Sequence, residues 1–125
     1  MVEQDLLAKL RARNPRYSDA AYLFLLSALQ YAIDRLDEPR HITGQELAEG
    51  CRDLAIERFG PMARTVLEHW GVHSTGDMGE IVYALIECHV LIKQETDSRE
   101  DFNEVFDFDE AFDRDYPWGR LKPHR

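Results

Sequence analysis

The run Asp77-Met78-Gly79-Glu80-Ile81-Val82-Tyr83-Ala84-Leu85-Ile86-Glu87-Cys88, with His89-Val90-Leu91-Ile92-Lys93 directly behind it, decides how this chain is read. Met78, Ile81, Val82, Leu85 and Ile86 recur at i, i+3, i+4, i+7 and i+8, which puts them on one face of an α-helix. Ser74-Thr75-Gly76-Asp77 starts that helix. The residues from His89 to Lys93 lean instead toward an extended strand. Further on, Asn103-Glu104-Val105-Phe106-Asp107-Phe108 alternates so that Phe106 and Phe108 share a face, and the segment 94–102 between the two stretches is polar. Two short strands joined by a polar loop predict a β-hairpin.

Working outward, residues 2–13 set Leu6, Leu7 and Leu10 on one stripe, and Asn14-Pro15 stops that helix. Ser18 offers an N-cap to a second helix with Asp19 in its first turn, running to about Leu36. Its apolar positions Tyr22, Leu25, Leu26, Leu29 and Ile33 are widened by Leu23, Phe24, Ala28 and Tyr31 to most of the circumference. Such a helix lies at the centre of a domain or also forms a subunit interface. His41-Ile42-Thr43 reads as a brief third extended segment. Thr43-x-x-Glu46 is a capping box for a helix over Gly44–Phe59, which Gly60-Pro61 breaks. Pro61 suits the first position of the next helix, which turns Met62, Val66, Leu67 and Trp70 inward and ends at Gly71.

The order helix, short strand, helix, helix, hairpin is that of a winged-helix domain with extra helices. The expected fold is therefore mainly α with a small β-hairpin (α+β), one domain over residues 1–112 and a mobile tail over 113–125. In this arrangement Asp77 to Cys88 would be the recognition helix and 94–102 the wing. The sequence also resembles a family of small uncharacterised bacterial proteins named after an open reading frame of a methane-oxidising verrucomicrobial bacterium. The resemblance rests on Tyr17-Ser18-Asp19-Ala20-Ala21-Tyr22, His41-Ile42-Thr43-Gly44, Phe59-Gly60-Pro61-Met62-Ala63, Leu67-Glu68-His69-Trp70-Gly71, Gly79-Glu80-Ile81-Val82 and Phe106-Asp107-Phe108-Asp109-Glu110-Ala111-Phe112. It spans residues 17–112 and implies neither an activity nor a cofactor.

The 125 residues are 44% hydrophobic and 31% charged, an ordinary globular composition, with a net charge of −9. Ten of the acids lie between Glu95 and Tyr116 against Arg99 and Arg114, so that stretch carries −8 and the rest of the chain is nearly neutral. The would-be recognition helix has no Lys or Arg, and the would-be wing is acidic. Phosphate contacts need cations, which disfavours nucleic acid as a partner. The N-terminus carries acids where a signal peptide needs basic residues, and the apolar run Ala20 to Ala32 is too short to span a bilayer. A cytoplasmic protein without membrane association is expected. Cys51 and Cys88 lack CxxC spacing and read as small hydrophobes.

No cofactor, metal or catalytic residue is assigned. Glu68, His69 and His73, with His41 or His89 as a further ligand, are the best constellation for a metal, but Gly71 interrupts the helical spacing. Residues 107–113 lack the glycine and spacing of an EF-hand, and no nucleophile elbow or phosphate loop occurs. The leading expectation is a non-enzymatic module that binds a protein partner or itself. Its candidate contact residues are Asp97, Asp101, Glu104, Asp107, Asp109 and Glu110, with Phe106, Phe108 and Phe112 anchoring the acidic segment, and Trp118 in the tail. That tail, from Tyr116 to Arg125, either folds back on the acidic segment or is a binding peptide. The alternatives are a small-ligand or metal-dependent enzyme using His41, His69 and His73, and a nucleic-acid-binding regulator using Arg11, Arg13, Arg16 and Arg40.

Overall fold

Five α-helices account for most of the chain in the computed structural model, which describes residues 2–94 and 97–114. They are α1 (Val2–Arg13), α2 (Asp19–Asp34), α3 (Gly44–Phe59), α4 (Ala63–His69) and α5 (Thr75–Glu87). Helix α2 packs on α3 and α5, α4 lies on α3, and α1 lies on α5. Part of the wide apolar surface of α2 is used inside the domain, where Ala21, Tyr22, Phe24, Leu25 and Ala28 are buried, while Leu23 and Ile33 remain exposed. Phe24, Phe59 and Trp70 pack ring against ring at 5.6 to 6.0 Å between centroids.

Local chemistry sets the ends of these helices. Thr43 Oγ1 accepts from Glu46 N–H, and Glu46 Oε1 accepts from Thr43 N–H at 3.0 Å, so the capping box starts α3 at Gly44. Ser18 occupies the N-cap of α2 but makes no side-chain cap bond; its own N–H donates to Trp70 O at 3.1 Å. Pro61 enters through a 3-10 turn, Gly60–Met62, ahead of α4. That turn leaves Met62 exposed, contrary to its expected inward position, and Ala63 and Leu67 fill the core instead. At the other end of α4, Gly71 takes φ +97° while Val72 N–H reaches back to Leu67 O at 2.9 Å, closing a Schellman cap. A Cβ on Gly71 would lie 2.3 Å from Arg16 O, so only glycine lets the α1–α2 connection pass.

The hairpin and the winged-helix arrangement are not formed: among the described residues there is no β-strand. The expected first strand is replaced by the end of α5. His89 adopts φ +66°, its N–H bonds Ile86 O at 3.0 Å, and Val90 N–H bonds Leu85 O at 2.9 Å, a second Schellman cap with histidine where glycine is usual. The expected wing contains the 3-10 turn Arg99–Phe102, which Ser98 and Asp101 close with a capping box. The expected second strand is diverted by Thr75, whose hydroxyl donates to Phe102 O at 2.6 Å and accepts from Val105 N–H at 3.2 Å. Glu104 turns the chain at φ +49°, and a π-helical turn over Asp109–Arg114 follows. The expected third strand at His41-Ile42-Thr43 is an irregular entry to α3.

Residues 97–112 thus form a strap across the bundle rather than a sheet. Phe102 is buried against both α3 and α5; a Cβ on Gly44 or Gly79 would lie 2.8 to 3.2 Å from side-chain atoms of Asp101 or Phe102. Those two glycines are the slots that admit the ring. Phe108 and Phe112 are buried with centroids 5.0 Å apart, edge to face, and half-buried Phe106 stacks on Phe108. Aromatic anchoring of the acidic segment therefore holds, on helical and turn spacing. Of the tail expected to be mobile over 113–125, residues 113 and 114 belong to the π-helical turn and 115–125, Trp118 included, lie outside the described residues.

Candidate functional site

The strap presents its carboxylates in two groups. Asp97 and Asp101 sit beside the core. Asp97 Oδ1 is 2.9 Å from His41 Nε2 and its Oδ2 accepts from Gln94 N–H at 2.9 Å, while Asp101 Oδ2 accepts from Ser98 N–H at 3.1 Å. These two acids are structural ties as well as rim groups. Glu104, Asp107, Asp109 and Glu110 face solvent. Asp107 Oδ1 caps the next turn by accepting from Asp109 N–H at 2.7 Å, and Asp109 pairs with Arg64. Glu104 and Glu110 have neither a side-chain hydrogen bond nor an ion pair among the described residues.

A polar hollow of about 490 Å³ lies along this outer group, bordered by Arg64, His73, Ser74, Glu104, Asp107 and Asp109. A separate, apolar cleft of about 380 Å³ opens between α2, α3, α5 and the segment leading into the strap. Leu29, Leu47, Val82, Ile86, Leu91 and Phe102 supply its apolar walls, with Arg40, His41, Asp97 and Asp101 at polar positions. The strongly exposed Ile92 belongs to the same cleft.

The histidines do not converge. His41 borders the apolar cleft and His73 the polar hollow, and among the described residues no group of three or more His, Cys, Asp or Glu is placed to hold a metal ion. Within the Glu68, His69 and His73 constellation, His73 Nδ1 is 4.0 Å from Glu68 Oε2. Each arginine of the candidate basic patch sits against a carboxylate: Arg11 on Asp19 at 3.4 Å, Arg13 on Glu87 at 2.5 Å, Arg16 on Asp77 at 2.5 Å and Arg40 on Glu46 at 2.7 Å. Cys51 is fully buried, and burial pushes its thiol well above the ordinary range, which makes it inert at neutral pH.

One polar cluster escaped the sequence reading. Asp77, almost wholly buried in the first turn of α5, accepts from Arg16 (2.5 Å) and the Tyr17 hydroxyl (2.7 Å) on Oδ1 and from His73 N–H (2.8 Å) on Oδ2. Burial, with Asp77 and Glu80 alongside, raises the Tyr17 phenol far above its ordinary range, so it remains a donor. The cluster locks the α1–α2 connection onto the start of α5. Only the coincidence of an arginine-tyrosine pair and an aspartate in a helix's first turn hinted at it, and nothing in their spacing of 60 residues links them.

Comparison with known proteins adds no guide to this geometry: no family model, curated protein or solved structure matches the chain. No helix among the described residues is long and apolar enough to cross a membrane.

Proposed function

We propose that the protein is a non-enzymatic docking module that engages a basic segment of a partner protein through the outer carboxylates of the strap. The observation behind this reading is that Glu104, Asp107 and Glu110 are exposed on a segment whose Phe102, Phe108 and Phe112 are buried. Charges on a loose tail lose conformational freedom on binding, whereas charges held in place by a core avoid much of that cost. Concentrated negative potential also speeds encounter with a basic partner, an effect that salt removes. The same field repels phosphate backbones, and the four arginines Arg11, Arg13, Arg16 and Arg40 each sit against a carboxylate.

Affinity capture from cells, quantified at about 0.05 and 0.5 M salt, tests the reading with the triple variant Glu104→Gln, Asp107→Asn, Glu110→Gln alongside the wild type. Basic proteins are expected to be retained by the wild type at low salt, and lost both at high salt and from the variant. The variant should melt close to the wild-type temperature, because the anchors are untouched. Identical capture profiles for the two proteins would overturn the proposal.

A further inference from the structure

The apolar cleft and an isoleucine beside it form a hole and a knob on one face of the molecule. Leu29 and Ile33 from α2, Leu47 from α3, and Val82 and Ile86 from α5 wall the hole. Ile92, on its rim, is 85% exposed and Ile33 is 41% exposed, two of the four large hydrophobic side chains that stand in solvent among the described residues. One exposed isoleucine needs no explanation, but an apolar hollow with two of them beside it is the pattern of an interaction surface. Ile92 is also held where it is. On one side Val90 N–H and Leu91 N–H both donate to Leu85 O, at 2.9 and 3.4 Å, and on the other Gln94 N–H donates to Asp97 Oδ2 at 2.9 Å. A side chain kept in water by bonds on both flanks is pre-organised for contact and loses little freedom when it is covered.

The charges of the same face leave one group of each sign over. Arg40 is held by both oxygens of Glu46, at 2.9 and 2.7 Å, and Asp97 is used up by His41 and Gln94. Asp101 Oδ2 accepts from Ser98 N–H at 3.1 Å, but its Oδ1 has no partner among the described residues. Lys93, next to the knob, is exposed and forms no ion pair among those residues; its Nζ reaches only Gln94 O, at 3.5 Å. An unmatched acid thus borders the hole and an unmatched cation borders the knob. We propose that a second copy of this chain covers the cleft in a two-fold dimer, with Ile92 of each copy seated in the cleft of the other and Lys93 of each beside the other copy's Asp101. One two-fold axis between knob and hole makes both contacts at once, because the same patch serves both subunits. A small apolar molecule would fill the hole and leave Lys93, Asp101 and the exposed Ile92 as they are; a second copy answers all three. A cleft of about 380 Å³ flanked by one knob makes a small interface, which places the dimer among the reversible ones. Glu104, Asp107 and Glu110 do not line the cleft, so the proposal does not depend on docking at the strap.

Sedimentation equilibrium of the full chain, from about 1 μM to about 1 mM, tests the dimer. The mass is expected to rise with concentration from 14.6 kDa toward twice that value. Ile92→Asp should weaken association by at least about tenfold and leave the melting temperature of the dilute protein unchanged, because the side chain it replaces is already in water. Lys93→Glu and Asp101→Lys should each weaken self-association by about tenfold, since each sets like charges together at both contacts. An equimolar mixture of those two variants should associate as the wild type does: in the mixed dimer one charge pair is native and the other is reversed. Should Asp101→Lys open the turn that its carboxylate caps, Ile92→Asp and Lys93→Glu carry the test. A mass fixed at 14.6 kDa up to about 1 mM overturns the proposal. So does a dimer that Ile92→Asp or Lys93→Glu leaves as strong as before, or a mixture of the two folded charge variants that shows no recovery. A chain that stays monomeric yet binds the fluorophore N-phenyl-1-naphthylamine saturably would give the cleft to a small apolar ligand instead.

Discussion

Asp77 shows how a single side chain can hold two parts of this chain together. Its carboxylate is buried, yet three donors converge on it, Arg16 and Tyr17 from the α1–α2 connection and the His73 N–H from the segment ahead of α5. Asp77→Asn keeps the shape but removes the charge that Arg16 and Tyr17 serve, and places an amide N–H where only acceptors fit. A loss of about 2 kcal/mol in urea unfolding is expected, the scale of a charge-assisted hydrogen bond with its buried partners left unmatched. His89 makes the opposite case. It closes α5 at φ +66°, a conformation that costs an L-residue about 1 kcal/mol and glycine almost nothing. His89→Gly should therefore raise the unfolding midpoint, by up to about 1 kcal/mol. A fall would mean that the imidazole supplies a contact outweighing the backbone gain.

At the level of elements, the start of α3 couples a cap to an ion pair. Glu46 accepts from Arg40 and from Thr43 N–H, and these bonds, the Arg40 one foremost, hold its carboxyl down to about 2. The folded pKa is below the unfolded one of about 4.3, so the native state binds the proton less readily than the unfolded chain. The stabilisation is complete above the unfolded value and is lost as pH falls toward the folded one. Glu46→Gln should consequently lower the denaturant midpoint at pH 7 and converge on the wild type near pH 2. A midpoint difference independent of pH between those values would show that shape, not ionisation, carries the cap. The same capping box placed α3 correctly in the sequence, because both partners lie within four residues and the bonds are local. The end of α5 departs from its local propensity: His89-Val90-Leu91-Ile92 has β-leaning side chains, but the backbone bonds to Leu85 and Ile86 consume its first donors before any strand can pair.

Across the whole molecule, what was legible is what repeats along the chain, and what was not is what depends on residues far apart. Periodicity located α1, α2, α3 and α5, and the charge count located the acidic segment. It could not show that Thr75 intercepts the backbone at Phe102 and Val105, since nothing in the alternation of Phe106 and Phe108 announces a hydroxyl 30 residues upstream. Nor could it show that Gly44 and Gly79 clear space for one aromatic ring. That ring decides whether the strap is an appendage or part of the cooperative unit. Phe102 touches α3 and α5 together, so truncating it opens a cavity at the junction of the two helices, beneath both the acidic strap and the apolar cleft. Phe102→Ala should cost about 3 to 5 kcal/mol, a large share of the 5 to 15 kcal/mol typical of a domain. If the strap belongs to the core, calorimetry will show one transition at a lower temperature, and protease sites in 97–112 will become susceptible only as the helices unfold. If the strap is an appendage, the helical transition will stay in place while those sites are cut under native conditions, and the fixed presentation of Glu104, Asp107 and Glu110 on which docking rests will be lost with it.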